Sequence, residues 1–377
     1  MTPVDSLTHW INSSGLFEEE GENKGGVHSY FDQKNSEFGF LYPEITGYFI
    51  NTQRFLYNIS SNQKFINNAS QSADWLIEIF EKFGGIIQGI KTEESRGNLV
   101  YTFDTAICAN ALIDCYLLTK DTKYLTHAKS LSLWIINKAL ESDGTLKPYL
   151  NLDTNNFEED KRLWYKQKGC FHIKSAIPLL RLYELTKDKT FLSNSLLICN
   201  SIKKYQKTDG SIQLHENENT IHMHSLCYAL EGLLYCYTKT KNDDYLKNCF
   251  DSLQWCKDHI NKDGDSLLWY NSKYSNAKTS YHTAQLLRLM ILVDLRQKSN
   301  EFGDCTDKLY SHLNTFQIID NNSRSNGGFY EEYYKTHLGW KTRKRITSWG
   351  SFFALQAIHW KNNFNSLNFE RDALFLF

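Results

Sequence analysis

Two acids stand where this sequence gives no packing reason for them. Glu44 lies in YPEITGY (Tyr42 to Tyr48) and Asp104 in YTFDTA, each at the mouth of a long apolar stretch. Two carboxyl groups held about 6.5 to 9.5 Å apart can cleave a glycosidic bond, one protonating the leaving oxygen while the other activates water. Each acid also suits a plainer role as an N-cap or first-turn residue. Histidines mark three comparable openings: His172 in FHIKSA, His222 and His224 in HMHSLC, and His282 in SYHTAQ. Imidazoles can hydrogen-bond sugar hydroxyls, neutralise a carboxylate or exchange a proton near neutral pH, and they can equally cap or pack a helix. The HxH of His222 and His224 stands without matched carboxylates, so neither a metal nor a cofactor is expected.

Aromatic and basic residues gather around these positions. Tyr42 and Tyr48 flank Glu44, Tyr281 precedes His282, and RITSWG supplies Arg345 and Trp349. Arg343 and Arg345 could clamp a carboxylate in a two-pronged way, although Lys341 and Lys344 beside them make a plain basic surface an equal reading. Arg96, in SRGNLVY ahead of Asp104, is a further candidate for substrate binding. The YEEYY run, Tyr330 to Tyr334, follows Gly327-Gly328 and is expected to form a loop over the pocket or on the surface.

The elements that position these residues come in pairs. An almost wholly apolar helix is expected after each opening: through about 57, then over 103–118, 173–185, 225–237, 283–295 and 347–360. Amphipathic helices are expected between them over 64–83, 122–140, 189–205, 243–260 and about 306–316. LLTKDTKYL, ELTKDKTFL and YTKTKNDDYL link one helix type to the other, and Asp143-Gly144, Asp209-Gly210 and Asp263-Gly264 close the pairs. The helix over residues 2–13, with Leu7, Trp10 and Ile11 on one face, supplies a sixth amphipathic member, and 15–41 is expected to be an ordered loop on the pocket side. The openings recur about every 50 to 70 residues, a helical-hairpin period. A helix apolar on all sides must be buried all round, so six inner helices wrapped by six outer ones form the expected all-α, single-domain architecture over 1–377.

On YPEITGY, the Asp-Gly turns and SWGSFFALQAI, with the paired helices along the whole chain, the sequence resembles the six-hairpin toroid, or (α/α)6 barrel, superfamily. That superfamily includes glycoside hydrolases, unsaturated glucuronyl hydrolases, sugar 2-epimerases and the toroid portions of polysaccharide lyases. The resemblance implies a substrate pocket at the end where the inner helices begin, with Glu44, Asp104, His172, His224, His282 and Trp349 around one cavity. Helix N-termini favour an anionic ligand, so an acidic, uronate-type sugar is the expected substrate. The leading expectation is an enzyme that cleaves a glycosidic bond in an acidic glycan or oligosaccharide, by hydrolysis with Glu44 and Asp104 or by β-elimination with histidine and tyrosine. The alternatives are a sugar epimerase or isomerase using paired histidines, and a noncatalytic glycan-binding or prenyl-handling toroid. No DxDD or DDxxD motif lies at an opening to favour the last.

Composition excludes other classes. The 42 Lys and Arg balance 43 Asp and Glu over 377 residues and are scattered, so nucleic acid has no electrostatic footprint to find. The nine cysteines are odd in number and sit mostly in helical, apolar surroundings, which predicts buried free thiols. No apolar run approaches the ~18 residues of a membrane span. The N-terminus has neither a basic start nor a signal-length apolar run, so a soluble, cytoplasmic protein is expected.

Overall fold

A computed structural model of the chain describes residues 2–90, 98–274 and 276–377. Its main helices in chain order are α1 Pro3–Ser13, α2 Pro43–Ser60, α3 Gln63–Phe83, α4 Thr102–Thr119, α5 Thr122–Trp134, α6 Ala176–Thr186, α7 Lys189–Asn200, α8 Met223–Thr240, α9 Asp243–Asp258, α10 Ser280–Gln297, α11 Gly303–Asn314 and α12 Ser348–Asn362. The strands are short: β1 Tyr30–Asp32, β2 Glu37–Phe38, β3 Leu99–Tyr101, β4 Tyr149–Asn151, β5 Asn156–Glu158, β6 Ile221–His222, β7 Trp269–Tyr270, β8 Ala277–Thr279, β9 Glu332–Thr336, β10 Gly339–Thr342 and β11 Arg345–Thr347.

The chain packs as two compact units. The first comprises Phe17–Ser29, Gly39–Ile202 and Phe377, and is called the carboxylate unit below. It holds three helical hairpins, α2 with α3, α4 with α5 and α6 with α7, and α4 packs against both α2 and α6. The second comprises Met1–Leu16, Tyr30–Phe38 and Lys203–Leu376, the histidine unit. Its hairpins are α8 with α9, α10 with α11, and α12 with α1, and α10 packs against α8 and α12. The expected partnership of the N-terminal helix with the last apolar helix is therefore present.

Burial separates the two helix types as the apolar pattern predicts. Residues from Thr102 through Cys115 of α4, and from Ser280 through Asp294 of α10, are buried without interruption. In α9, by contrast, only Tyr245, Cys249, Ser252, Leu253 and Cys256 are buried, a spacing of three and four that draws one stripe along the helix. All nine cysteines are free thiols in buried positions. No helix among the described residues is long and apolar enough to cross a membrane.

The recurrent Thr-Lys-Asp/Asn element explains how one helix hands over to the next. Thr119, Thr186 and Thr240 bond back to the carbonyls four residues earlier, and their hydroxyls accept the N–H of Asp121, Asp188 and Asn242. The lysine between them turns left-handed, with φ of 62° at Lys120, 62° at Lys187 and 56° at Lys241. The Asp or Asn then caps the following helix by accepting the N–H two residues on. The Asp-Gly turns place each pair beside the next. A Cβ on Gly144 would lie 2.2 Å from the Leu197 carbonyl oxygen of α7, and one on Gly210 would lie 2.3 Å from that of Asp251 on α9. Only glycine fits either place, at φ of +85° and +88°.

Several expected boundaries shift. The helix expected from 173 begins at Ala176 after a 3₁₀ segment, Cys170–Ser175. Pro178 has no N–H to give the Lys174 carbonyl, so an α-helical first turn cannot form there. The last turns expected of the helices over 122–140 and 189–205 are instead a π turn, Ile135–Ala139, and a 3₁₀ turn, Ser201–Lys204, where terminal carbonyls find other partners. The expected loop over 15–41 contains the β1–β2 hairpin. Tyr330 to Tyr334 is not a loop throughout: Glu332–Thr336 is β9, the middle strand of an antiparallel β10–β9–β8 sheet. The tyrosines and threonine of YEEYYKT favour the strand. In the carboxylate unit β3, β4 and β5 form a further antiparallel sheet, and in the histidine unit β11–β1–β2 and β6–β7 do the same. Four of these strands, β3, β6, β8 and β11, run directly into the buried helices α4, α8, α10 and α12 and so fix where those helices begin.

Candidate functional site

In the carboxylate unit, Glu44 and Asp104 sit in the first turns of the adjacent helices α2 and α4. Neither is a cap. The N-cap residues are Tyr42 and Tyr101, which make no side-chain capping bond. The N-cap half of the plainer reading is therefore not met, while both acids do stand in the first turn that its other half named. Both are buried, Glu44 at 8% and Asp104 at 4% exposure. Burial pushes the Glu44 carboxyl up to about 7, while a hydrogen bond from Tyr42 and the positive charge of Lys174 pull the other way. Burial, and then the charge of Glu44, push Asp104 well above the usual carboxylate range. With Asp104 raised by burial and by the charge of Glu44, the two acids hold at least one proton between them at neutral pH.

The two acids have unequal neighbours. Tyr42 donates to Glu44 and receives the Gln88 amide at 3.5 Å. Lys174, 1% exposed in the turn before α6, lays its ammonium 4.9 Å from the ring centroid of Tyr48, one helical turn beyond Glu44 on α2. Asp104 Oδ2 is buried and has no hydrogen-bond partner among the described residues. His172 packs its ring 4.1 Å from Phe171 and 6.3 Å from Phe103, beside Asp104.

The histidine unit gathers a second set. His222 ends β6 and stacks on Trp269 of β7 with ring centroids 4.0 Å apart, its Nδ1 2.8 Å from the Ser225 hydroxyl. Burial, followed by the neighbouring histidines 224, 282 and 215, holds it well below the usual imidazole range. His224, in the first turn of α8, lies 4.2 Å from the Tyr228 ring and 4.7 Å from the Tyr281 ring. Tyr281 in turn meets Trp349 at 5.9 Å. Behind His224 a chain of buried polar groups runs through Gln285, Glu231, Arg288 and Gln356.

Other expected site residues take structural work in this unit. His282 is fully buried with both ring nitrogens engaged, Nε2 by Ser266 at 2.9 Å and Nδ1 by Thr279 at 2.5 Å, and burial pushes it down to about 3. Its position follows from β8 running into α10, with Thr279 as the cap. Arg343 is held by Glu332 at 2.6 Å, and Arg345 faces Glu331 at 3.8 Å while its guanidinium covers the Tyr30 ring at 4.1 Å. The expected arginine clamp is thus met by the protein's own carboxylates. Tyr330 donates to Gln33 at 2.8 Å. Arg96 lies outside the described residues.

Sequence reasoning missed Lys174, Gln285, Glu231 and Glu331. Lys174 and Gln285 were legible only as polar interruptions of buried stretches, FHIKSA and HTAQLL. Glu331, pushed up to about 7 by burial and then by Glu332, sat unremarked within YEEYY.

No protein-family model matches the chain, and no curated protein matches its sequence. Solved structures do match. A cellobiose 2-epimerase from Bacillus thermoamylovorans aligns with a TM-score of 0.74 at 14% identity, covering 94% of this chain and 98% of that one. An unsaturated glucuronyl hydrolase specific for heparin aligns at 0.73 and 10% identity, covering 97% and 98%. A D-mannose isomerase aligns at 0.74 and 11%, covering 97% and 96%. The fold is that of the (α/α)6 six-hairpin toroid, and the likeness at these identities is one of fold.

Proposed function

We propose that the chain is a carbohydrate-active enzyme that hydrolyses a glycosidic bond at an acidic sugar, with Asp104 as proton donor and Glu44 as base. One observation carries the assignment: two buried acids open neighbouring helices, and Glu44 has a hydroxyl and an ammonium that favour its charge where Asp104 has its own backbone N–H alone. Glu44 has the Tyr42 hydroxyl and the Lys174 ammonium, so it is the acid that ionises first. Asp104 is left with a buried oxygen that no described residue serves, and next to an ionised Glu44 it keeps its proton. A protonated acid beside an ionised one at neutral pH is the arrangement that general acid–base cleavage needs. The acidic substrate class rests on the positive ends of α2 and α4 and on the Lys174 charge. Relatives in fold that act on glucuronyl sugars agree with this reading.

A second reading, epimerisation or isomerisation by proton transfer at a sugar carbon, is favoured by the ordered surroundings of His224 and by the epimerase and isomerase relatives in fold. Both readings are separated by incubating the protein with a panel of acidic and neutral oligosaccharides in heavy-oxygen water and weighing the products. Incorporated label supports hydrolysis, a new unsaturated uronate shows elimination, and conversion at unchanged mass shows epimerisation or isomerisation. Either of the last two outcomes overturns the leading reading.

A further inference from the structure

His224 stands at the end of a buried polar chain whose every hydrogen bond has only one possible direction. The Phe375 carbonyl can only accept, so the Gln356 Nε2 faces it at 2.8 Å and Gln356 Oε1 must face away, where it receives Arg288 Nη1 at 2.7 Å. Arg288 gives its other terminal nitrogen to Glu231 Oε1 at 2.5 Å. That same oxygen takes Gln285 Nε2 at 3.1 Å. A carboxylate accepts and an amide NH₂ donates, so Gln285 cannot be turned round without setting oxygen against oxygen. Its Oε1 is therefore the atom 2.5 Å from His224 Nδ1, and that nitrogen must carry a hydrogen.

We infer that Gln285, held by the Glu231–Arg288 pair, is a positioning residue that fixes His224 as the Nδ1–H tautomer and leaves Nε2 as its one basic nitrogen. Glu231, Gln285, Arg288 and Gln356 are all fully buried, so water does not compete for these bonds. The rings of Tyr228 and Tyr281 lie against the imidazole and limit its rotation. His224 thereby has its tautomer set by the helices behind it, a property a packing histidine does not need. The inference concerns the histidine unit alone and stands independently of the roles given to Glu44 and Asp104.

The test is a long-range proton–nitrogen correlation spectrum of the full-length protein with ¹⁵N-labelled histidine, the His224 signals being assigned by their loss in His224→Asn. The expected spectrum at pH 8 shows a protonated Nδ1 and a bare Nε2. A protonated Nε2, alone or together with Nδ1, overturns the inference. In Gln285→Leu, which keeps the bulk but removes the acceptor, the single tautomer should give way to a mixture of both forms. An unchanged tautomer in a folded Gln285→Leu protein also overturns it. Should that variant fail to fold, the wild-type spectrum decides by itself. No turnover is required, so the outcome is separate from that of the hydrolysis experiment.

Discussion

Each unit contains a buried carboxylate bound to an arginine of the next apolar helix, and the two clusters end differently. In the carboxylate unit, Asp114 of α4 is paired with Arg181 of α6 and also takes Arg54 at 2.7 Å and Asn51 at 2.7 Å, both from α2. Arg181 also donates to Asn110 Oδ1 of α4 at 2.5 Å, so that cluster sews three helices together. In the histidine unit, Glu231 of α8 is paired with Arg288 of α10, and Gln285 carries the chain on to His224. The same linkage thus serves packing in one unit and aims an imidazole in the other. Conversely, the acids that open helices are buried beside one another in the carboxylate unit, whereas the acids Glu331 and Glu332 of the histidine unit face arginines. A shared scaffold has been given different chemistry at its helix starts.

Removing one partner of a buried ion pair leaves a charge that burial penalises, so these clusters should yield the largest losses of stability. Arg288→Met is expected to cost about 4 kcal/mol and Arg181→Met about 3 kcal/mol, because Asp114 keeps Arg54. Denaturant unfolding of both variants measures this. A cost below that of an ordinary surface substitution would mean the two clusters do not hold their helices together.

A pH-dependent difference should mark Glu44. Its carboxyl keeps a proton up to about 7 in the folded chain, against 4.5 for the ordinary group. The folded state therefore binds more protons than the unfolded state between those values, and wild-type stability falls as pH rises through that window. The contribution is complete below the lower value and lost above the upper one. Glu44→Gln lacks this slope, so its stability relative to wild type should improve by up to about 1.4 kcal/mol per pH unit across the window. Parallel unfolding curves at pH 5, 6 and 7 supply the comparison, and a constant difference would contradict the raised Glu44.

Lys174→Met should move the acid limb of the activity profile upward by about 1 pH unit, since the cation that favours ionised Glu44 is gone. Lys174→Arg should restore it. A loss of rate with no movement of the limb would reduce Lys174 to a packing residue. The smallest effect belongs to the shared scaffold: Asp188→Ala in one unit and Asn242→Ala in the other should each cost about 1 kcal/mol of stability and leave turnover unchanged.

Much of the scaffold was legible because it is local. The TKD and TKN links announce a left-handed turn followed by a cap, and the largely apolar stretch from Thr102 to Cys115 reads as a buried helix. Glu44 and Asp104 were visible for the same reason, as acids where apolar helices begin. His282 looked identical to His224 in sequence, and only the packing of Ser266 and Thr279 on both its nitrogens separates them. Lys174, Gln285 and Glu231 gain their meaning from partners on other helices, which periodicity does not reveal. The arginines near 345 misled in the same way, their carboxylate partners lying on the neighbouring strand and just ahead of it.

The central claim, that the carboxylate unit carries bond cleavage, is tested most directly by comparing Glu44→Gln, Asp104→Asn and His224→Asn on whichever acidic oligosaccharide the wild type turns over. The amides keep size and hydrogen bonding but cannot exchange a proton. The account predicts a fall of kcat/KM by about 10²-fold or more in each of the first two, with unchanged circular dichroism, and a smaller fall in the third. Full activity in Glu44→Gln and Asp104→Asn beside a dead His224→Asn would contradict it and transfer the chemistry to the histidine unit.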